Sequence, residues 1–424
     1  MRILYVSQYY PPEVCAPAVR VSELAKNWAG AGHDVTVLTG FAHHPHGRKK
    51  REDRYVLTRR EQDGEVEVIR SYVWASANEG TLKRMISYAS FCLSSSLIGT
   101  LRCKRPDVVI ATSPQLLCGL SGYLLSKLLR CRFVFEVRDL WPESILAVSA
   151  MKENFVVRRL KGLASFLYRK SDRIVTVGNG YRNGIVDSYG IPKDKIDVVP
   201  NGIDTEKFSG AFNREGIRKD LGWQGKFVVL YIGTHGMAHA LDKVLLSAKE
   251  LAGKRDIHFA FVGDGAERKN LERQASELGL DNVQFFGMMP REEVPNIYAA
   301  CDAGIVSLRK TELFQHVLPS KIFEFLAMGK PIVLSVDGEA RRIAEASGAG
   351  FFVEPEDYKA MARKIQQLHD RRDSLNAIGE KGRKYVLANF DRSALAHDYL
   401  HILDKTIQPQ YKSPELTLAD QTQE

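Results

Sequence analysis

Met1-Arg2-Ile3-Leu4-Tyr5-Val6 and Val35-Thr36-Val37-Leu38-Thr39 enclose a segment in which Val21, Leu24, Ala25 and Trp28 recur at i, i+3, i+4 and i+7, closed by Gly30 and Gly32. The outer runs are short, apolar and rich in β-branched residues. The middle carries one apolar stripe and a glycine stop, which predicts a helix. Together they predict a strand–helix–strand unit with parallel strands and the helix lying on one face.

The same alternation continues outward. Val66–Ile69, Val108–Ala111, Phe133–Val137 and Ile174–Val177 read as further strands of a first half. Ile196–Val199 runs into the turn cluster Pro200-Asn201-Gly202-Ile203-Asp204, after which the pattern restarts. Phe227–Ile232, Ile257–Val262, Val283–Phe286, Ala303–Val306 and Ile332–Leu334 are its strands, and Leu241, Val244, Leu245 and Ala248 stripe a helix. The expected fold is α/β, with two Rossmann-like parallel-sheet domains, 1–200 and 201–390, facing across a cleft. Open parallel sheets bind ligands beyond the carboxyl ends of their strands, so two facing sheets offer two substrate sites. The polar, Pro-containing tail 408–424 reads as disordered.

A chain of 424 residues exceeds one ordinary core, which agrees with two domains. The six cysteines lack metal-ligand spacing and the start lacks a signal-peptide pattern, so they read as reduced thiols in a cytoplasmic protein. Met85–Leu101 is the most apolar segment, but its five serines and one threonine argue against a membrane span. It reads as a buried helix or as a helix in a membrane interface. The net charge of +9 suits anionic partners. Lys83, Arg84, Arg102, Lys104 and Arg105 flank the apolar segment, and Arg158, Arg159, Lys161, Arg169 and Lys170 sit on the next helix. Such bracketing fits ordinary solvated charge or an anionic membrane surface. No recognised nucleic-acid motif accompanies it.

Tyr231-Ile232-Gly233-Thr234-His235-Gly236-Met237 predicts a strand, a glycine turn and a helix start, a junction that presents amides to an anion. It lacks the third glycine of a dinucleotide fingerprint. His239 could add a contact. Val262-Gly263-Asp264-Gly265 is a second strand-end turn, where Asp264 could simply cap the next helix. In Leu318-Pro319-Ser320-Lys321-Ile322-Phe323-Glu324 a helix starts near Ser320. Lys321 could meet phosphate there, and Glu324 could accept two vicinal ribose hydroxyls; a plain i, i+3 surface pair is the alternative. In the first half, Glu136-Val137-Arg138-Asp139-Leu140-Trp141-Pro142-Glu143 puts acids, an arginine and a tryptophan at a strand end, and Tyr9-Tyr10-Pro11-Pro12-Glu13 faces the same edge. His43-His44-Pro45-His46-Gly47 has no acidic or cysteine partner nearby and is not read as a metal site.

Taken together, Tyr10-Pro11-Pro12-Glu13, Arg138-Asp139-Leu140-Trp141-Pro142-Glu143-Ser144, Val199-Pro200-Asn201-Gly202, Val262-Gly263-Asp264-Gly265, Phe286-Gly287 and Pro319-Ser320-Lys321 through Pro331 give the chain a family likeness over roughly residues 1–405. It resembles glycosyltransferase family four, retaining enzymes of the GT-B fold. It looks most similar to the subgroup that builds bacterial O-antigen and capsule, which includes L-fucosamine transferases. The resemblance implies a nucleotide-sugar donor, uridine being the preferred base, held by the second domain. Glu324 would bind the ribose, Gly287 and Met288 would edge the base, and Gly236, Met237, His239, Leu318, Pro319, Ser320 and Lys321 would surround the diphosphate. Asp139, Arg138 and Glu143 would form the catalytic edge. Tyr10, Pro12 and Glu13 would face a lipid diphosphate-linked saccharide acceptor at an anionic membrane surface. No metal or other cofactor is required on this reading, and no nucleic acid is involved. A last helix, 391–407, would cross back to the first domain.

The sequence departs from the family pattern at three places. His316 occupies the usual position of a second Glu, Gly233–His239 lacks the usual Arg and Lys, and Arg138 replaces a common His. A sugar-nucleotide 2-epimerase of the same architecture, or a non-catalytic nucleotide-sugar binding module, are the rival readings.

Overall fold

The computed structural model describes residues 1–13, 15–43, 47–75, 81–143, 155–208, 210, 212–290 and 292–408. The first sheet contains β1 (Arg2–Val6), β2 (Asp34–Gly40), β3 (Thr58–Asp63), β4 (Val66–Ser71), β5 (Val108–Thr112), β6 (Arg132–Val137), β7 (Arg173–Thr176) and β8 (Ile196–Val198). Their order is β3-β4-β2-β1-β5-β6-β7-β8. All neighbours are parallel except β3 and β4. Its helices are α1 (Ala16–Gly30), α2 (Thr81–Arg102), α3 (Leu116–Leu128), α4 (Phe155–Lys170) and α5 (Asn179–Tyr189).

The second sheet contains β9 (Phe227–Ile232), β10 (Ile257–Val262), β11 (Val283–Phe286), β12 (Ala303–Ser307), β13 (Ile332–Ser335) and β14 (Gly350–Phe352), ordered β11-β10-β9-β12-β13-β14 and wholly parallel. Around it lie α6 (Arg214–Asp220), α7 (Leu241–Glu250), α8 (Arg268–Glu277), α9 (Val294–Ala300), α10 (Lys321–Ala327), α11 (Glu339–Ala346), α12 (Tyr358–Asp370) and α13 (Leu375–Phe390), followed by α14 (Arg392–Ile407). The expected two-sheet α/β architecture is therefore present.

Alternation along each strand feeds a core on both faces of each sheet. Leu4, Val6, Leu38, Phe133 and Phe135 pack on one face of the first sheet, and Ile3, Tyr5, Val37 and Val134 on the other. Val228, Leu230 and Ile232 oppose Phe227, Val229 and Tyr231 in the same way in the second. Two strands escaped the sequence reading. The edge strand β3 is polar, and β14 is three residues long.

The chain passes between the halves twice, side by side. Ile203 N–H donates to Phe390 O (2.9 Å), and Arg392 N–H donates to Ile203 O (3.0 Å). Gly202 adopts φ +61°, and a Cβ there would stand 2.7 Å from Phe390 O, so the crossing needs glycine. Asp391 caps α14 by accepting from Ala394 N–H at 2.9 Å. The helix then packs on α1, where Trp28 Nε1 donates to Ala396 O (2.9 Å) and the indole meets the edge of Tyr399. Segment Met85–Leu101 lies within α2. Phe91 is buried against the sheet and Cys92 is buried, while Leu93, Leu97 and Leu101 are exposed.

Trp28 is fully buried, so Trp28→Ala is expected to cost about 3–5 kcal/mol in chemical denaturation. A loss below about 1 kcal/mol would mean that α14 does not depend on this side chain.

Candidate functional site

The carboxyl ends of β9 and β10 are stitched together by glycine. Gly233 and Gly263 take φ +132° and +127°, and a Cβ on Gly263 would lie 2.1 Å from Gly233 O. Gly265 has no more room, since its Cβ would meet His235 O at 2.4 Å. His235 N–H donates to Asp264 O and Gly263 N–H to Gly287 O, which joins the ends of three strands. The Asp264 carboxylate accepts from Gly265 N–H at 2.7 Å, a local turn contact.

Lys321, the first residue of α10, reaches back over this turn. Its ammonium donates to Tyr231 Oη (2.9 Å) and lies 4.1 Å from the centre of that ring. A Cβ on Gly233 would be 2.8 Å from Lys321 Nζ, so the cation rests on the glycine. Burial pushes the Lys321 ammonium down to about 8, against the pull of Glu324. Burial, reinforced by neighbouring cations, pushes His235 down to about 4 and His239 to about 3, so both rings are neutral at pH 7. Glu324 accepts a hydrogen bond from Tyr298 Oη. Arg268, at the start of α8, pairs with Glu272 and sets Nη1 3.6 Å from the ideal Cβ of Gly287. It is a second cation at the strand ends and was not singled out from the sequence.

The helix start expected directly after Gly236 lies further on. Met237–His239 forms a single 3₁₀ turn, and α7 begins at Leu241 because Ala240 adopts the left-handed conformation at φ +51°. Gly236 and Met237 border a cavity of about 120 Å³ with Glu267, Asn270 and Arg309. His239 turns its ring toward Tyr231. Leu318 is buried, whereas Met288 is exposed beyond Gly287. Pro319 and Ser320 lead into Lys321.

On the first half, β6 delivers Glu136, Arg138 and Asp139. Glu136 is fully buried and accepts from Tyr5 Oη (2.6 Å) and Arg20 Nε (3.0 Å). The guanidinium of Arg138 lies against this pair. Its Nε and Nη1 are buried and have no hydrogen-bond partner among the described residues. Burial and the nearby Arg20 charge lower its proton affinity, while Glu136 opposes them. Burial raises the pKa of Tyr168 and of Tyr181, and the Asp139 charge adds to both shifts.

Three expected site residues point elsewhere. Tyr10, in the loop after β1, is buried in the core beneath α1 and donates to Asp63 Oδ2 (2.9 Å). Glu13 folds back to accept from the N–H groups of Tyr10 and His43, which leaves exposed Pro12 as the part of this loop open to an acceptor. Glu143 accepts from Tyr189 Oη (2.5 Å) and so faces α5 rather than an opposing substrate. His44, Pro45, His46 and Ser144 lie outside the described residues, as does the tail from 409 to 424. Among the described residues no group of three or more His, Cys, Asp or Glu could hold a metal ion.

The two halves touch at a junction that sequence reading missed. Glu339 opens α11 and crosses to the start of α5, where it accepts from Gly180 N–H (2.9 Å) and Asn179 Nδ2 (2.7 Å). A carboxylate at a helix start is favoured by its free amides. Gly180 is needed for close approach, since its Cβ would sit 2.5 Å from His316 Cα. His316 thus lies where its backbone meets the other half. The turn Asp337-Gly338 before an acidic helix start was the available signal.

Comparison with known proteins follows this division. Residues 16–202 match the glycosyl transferase 4-like domain, and residues 213–385 match glycosyl transferases group 1. WcaI of Escherichia coli (strain K12), named as a colanic acid biosynthesis glycosyl transferase, is 27% identical over 87% of this chain and 92% of its own. WbjE of Pseudomonas aeruginosa, named as a glycosyltransferase, is 29% identical over 72% and 75%. Among solved structures, HepE of Anabaena in complex with UDP aligns with TM-score 0.70 at 18% identity over 95% of this chain and all of that one. WaaG, a glycosyltransferase involved in lipopolysaccharide biosynthesis, aligns at 0.68 and 18% over 95% and 100%.

Glu339→Ala should leave both halves folded and loosen their contact, read as a larger radius of gyration in small-angle scattering. An unchanged scattering profile would mean that Glu339 does not hold the junction.

Proposed function

We propose that this chain, which is a glycosyltransferase of the GT-B type, moves a sugar from a nucleoside diphosphate to a hydroxyl of a lipid diphosphate-linked saccharide, with retention of configuration. The observation that carries the reading is the buried Lys321 ammonium resting on Gly233 at one sheet edge, with Asp139 and the half-paired Arg138 at the edge of the other. Diphosphate leaves with added negative charge, and a preformed cation stabilises that charge in the transition state. Lys321, assisted by Arg268, takes the role that an Arg and a Lys after β9 hold in relatives. Glu324, positioned by Tyr298, holds the ribose.

In front-face attack the sugar–phosphate bond breaks as the acceptor oxygen closes on the same face. The departing phosphate oxygen takes the acceptor proton. Asp139 then orients a hydroxyl rather than acting as an obligatory base, and no resident metal is needed for the step. The product belongs to a bacterial surface polysaccharide of the O-antigen or capsule kind. The donor is a UDP-linked sugar, N-acetylated or deoxy, and the enzyme works on the cytoplasmic face of the membrane. The names of WcaI and WbjE, the HepE complex with UDP, and the basic, partly apolar first half support this reading.

The test separates the two halves. Glu324→Gln should weaken UDP binding about tenfold in calorimetry, the loss of a hydrogen bond to a charged group. Asp139→Asn should bind UDP normally but lower transfer to a lipid-linked acceptor about a hundredfold. Equal UDP affinity in the Glu324 variant, or full turnover in the Asp139 variant, would remove that residue from its role.

UDP affinity should also depend on Lys321. Its proton is held below a pKa of about 8 and lost above it, and an arriving diphosphate favours the protonated form. Affinity is therefore highest below pH 8 and falls as pH rises through it, with proton uptake on binding near pH 8. Lys321→Met should weaken binding at pH 7 and flatten this profile. A slope unchanged by the substitution would assign the titration to another group.

A further inference from the structure

Arg138 has a fixed backbone and an unanswered side chain. Its N–H donates to Ser113 Oγ (2.8 Å), and Ser113 N–H donates to Glu136 O (2.8 Å), which ties the ends of β5 and β6 together. Its buried Nε and Nη1 meet no acceptor among the described residues. Three other arginines, Arg20, Arg70 and Arg218, are buried and show how this fold ordinarily treats a guanidinium. Arg20 donates to Glu136 and to the carbonyls of Val199 and Pro200. Arg70 donates to Glu61 and to the carbonyls of Gly40 and Pro11. Arg218 donates to Asp302 and to the carbonyls of Ala300 and Trp223. Each is met on several sides, as buried donors usually are, because one left without an acceptor costs the desolvation of that group.

The charge of Arg138 is no better matched. Glu136 acts on it, yet Glu136 already accepts from Tyr5 Oη and Arg20 Nε. Two guanidiniums therefore share this carboxylate, and the donors of Arg138 remain open to an acceptor that arrives with a ligand.

The groups around Arg138 suit a sugar. Cys15, just before α1, neighbours both Arg138 and Tyr9. Tyr9 follows β1, Tyr88 lies on α2 and Gln115 follows β5, and hydrogen bonds join their side chains. Both tyrosines are half-buried, so each keeps an open part. The carboxyl ends of the neighbouring strands β1, β5 and β6 thus gather hydroxyl and amide groups, aromatic rings and a guanidinium. Aromatic walls with a few placed polar groups are the usual lining of a small-molecule site.

Position identifies the anion. Arg138 directly precedes Asp139, which orients a reacting hydroxyl on the catalytic reading. On that reading Lys321 of the other half meets the donor diphosphate, and the acceptor diphosphate lies at least a sugar ring away from the reacting hydroxyl. An anion at Arg138 is therefore carried by a sugar itself, where it is a carboxylate. A planar guanidinium matches a planar carboxylate with two parallel hydrogen bonds.

We propose that Arg138 receives the carboxylate of an acidic sugar, so that one of the two reacting sugars is of the uronic acid class. The inference rests on the glycosyltransferase reading and names its substrate class. With the donor read as an N-acetylated or deoxy sugar, the acidic sugar belongs to the acceptor, beside Tyr9, Tyr88 and Gln115.

The experiment has two arms, both on the full chain. In the first, methyl glycosides of glucuronic and galacturonic acid, and of glucose and galactose, are titrated by saturation-transfer NMR into protein saturated with UDP. In the second, UDP-glucuronic and UDP-galacturonic acid are compared with UDP-glucose and UDP-galactose by calorimetry. In the first arm at least one uronate should bind about tenfold more tightly than its neutral counterpart, the effect of a hydrogen bond to a charged group. The same preference confined to the second arm keeps the carboxylate and assigns it to the donor. No preference in either arm overturns the proposal, and this comparison needs no variant. Arg138→Gln should abolish the preference while UDP affinity matches that of the parent. Its thermal midpoint should hold or rise, because a buried cation with unfilled donors is removed. A preference that survives the substitution removes Arg138 from the role. Absence of UDP binding in the parent would instead count against the nucleotide-sugar reading, and the first arm, repeated without UDP, would judge the carboxylate.

Discussion

The Glu136–Arg20 pair at the end of β6 ties the first half to the crossing that leads to the second. Glu136 is buried in the strand that carries Arg138 and Asp139, and Arg20 comes from α1. The rest of the Arg20 guanidinium donates to the carbonyls of Val199 and Pro200, the residues that leave the first sheet. One ion pair therefore fixes the strand end that carries Arg138 and Asp139, the first helix and the departing chain in a single register. Removing one member of such a pair leaves a buried charge uncompensated, which is far costlier than replacing both. The same arrangement explains Arg138. Glu136 is already shared by Arg20 and Tyr5, so a second guanidinium nearby retains positive charge and unfilled donors. The strand end is thereby made attractive to anionic or hydroxyl-rich groups.

The strands of both sheets were legible because a parallel sheet buries both faces, and its strands read as compact apolar runs. The exceptions follow from the same rule. Strand β3 is an antiparallel edge with an exposed side, and its Thr-Arg-Arg-Glu-Gln-Asp sequence carries no apolar run. Strand β14 has only three residues. The delayed start of α7 was hidden because Ala240 is a good helix former by type, yet tertiary context sets it left-handed.

At the site, legibility tracked how directly backbone position dictates side-chain direction. Lys321 and Glu324 sit on a helix, where spacing alone puts them on neighbouring faces. Tyr10, Glu13 and Glu143 sit in or beside turns, where direction depends on register and on which amides or hydroxyls need an acceptor. All three were drawn inward by such partners. Glu339 and Arg268 belong to helix starts whose significance lies in what they face from another segment, Gly180 in one case and Gly287 in the other. No local pattern encodes that pairing.

The facing edges also differ in how they hold charge. The first presents guanidinium groups, which stay protonated at any physiological pH. The second presents a lysine brought down to about 8 beside two histidines kept neutral by burial and by that same cation. The second edge thus concentrates its response in one titratable ammonium, while burial keeps its histidines neutral. His235 makes this plain, with both ring nitrogens buried without partners and its ring set near those of Phe261 and Phe285. Recharging such a ring would place a further cation near Lys321 and Arg268. Keeping it neutral leaves the ammonium as the titratable group that an anion would favour, so the apolar packing behind β9 sets the charge in front of it.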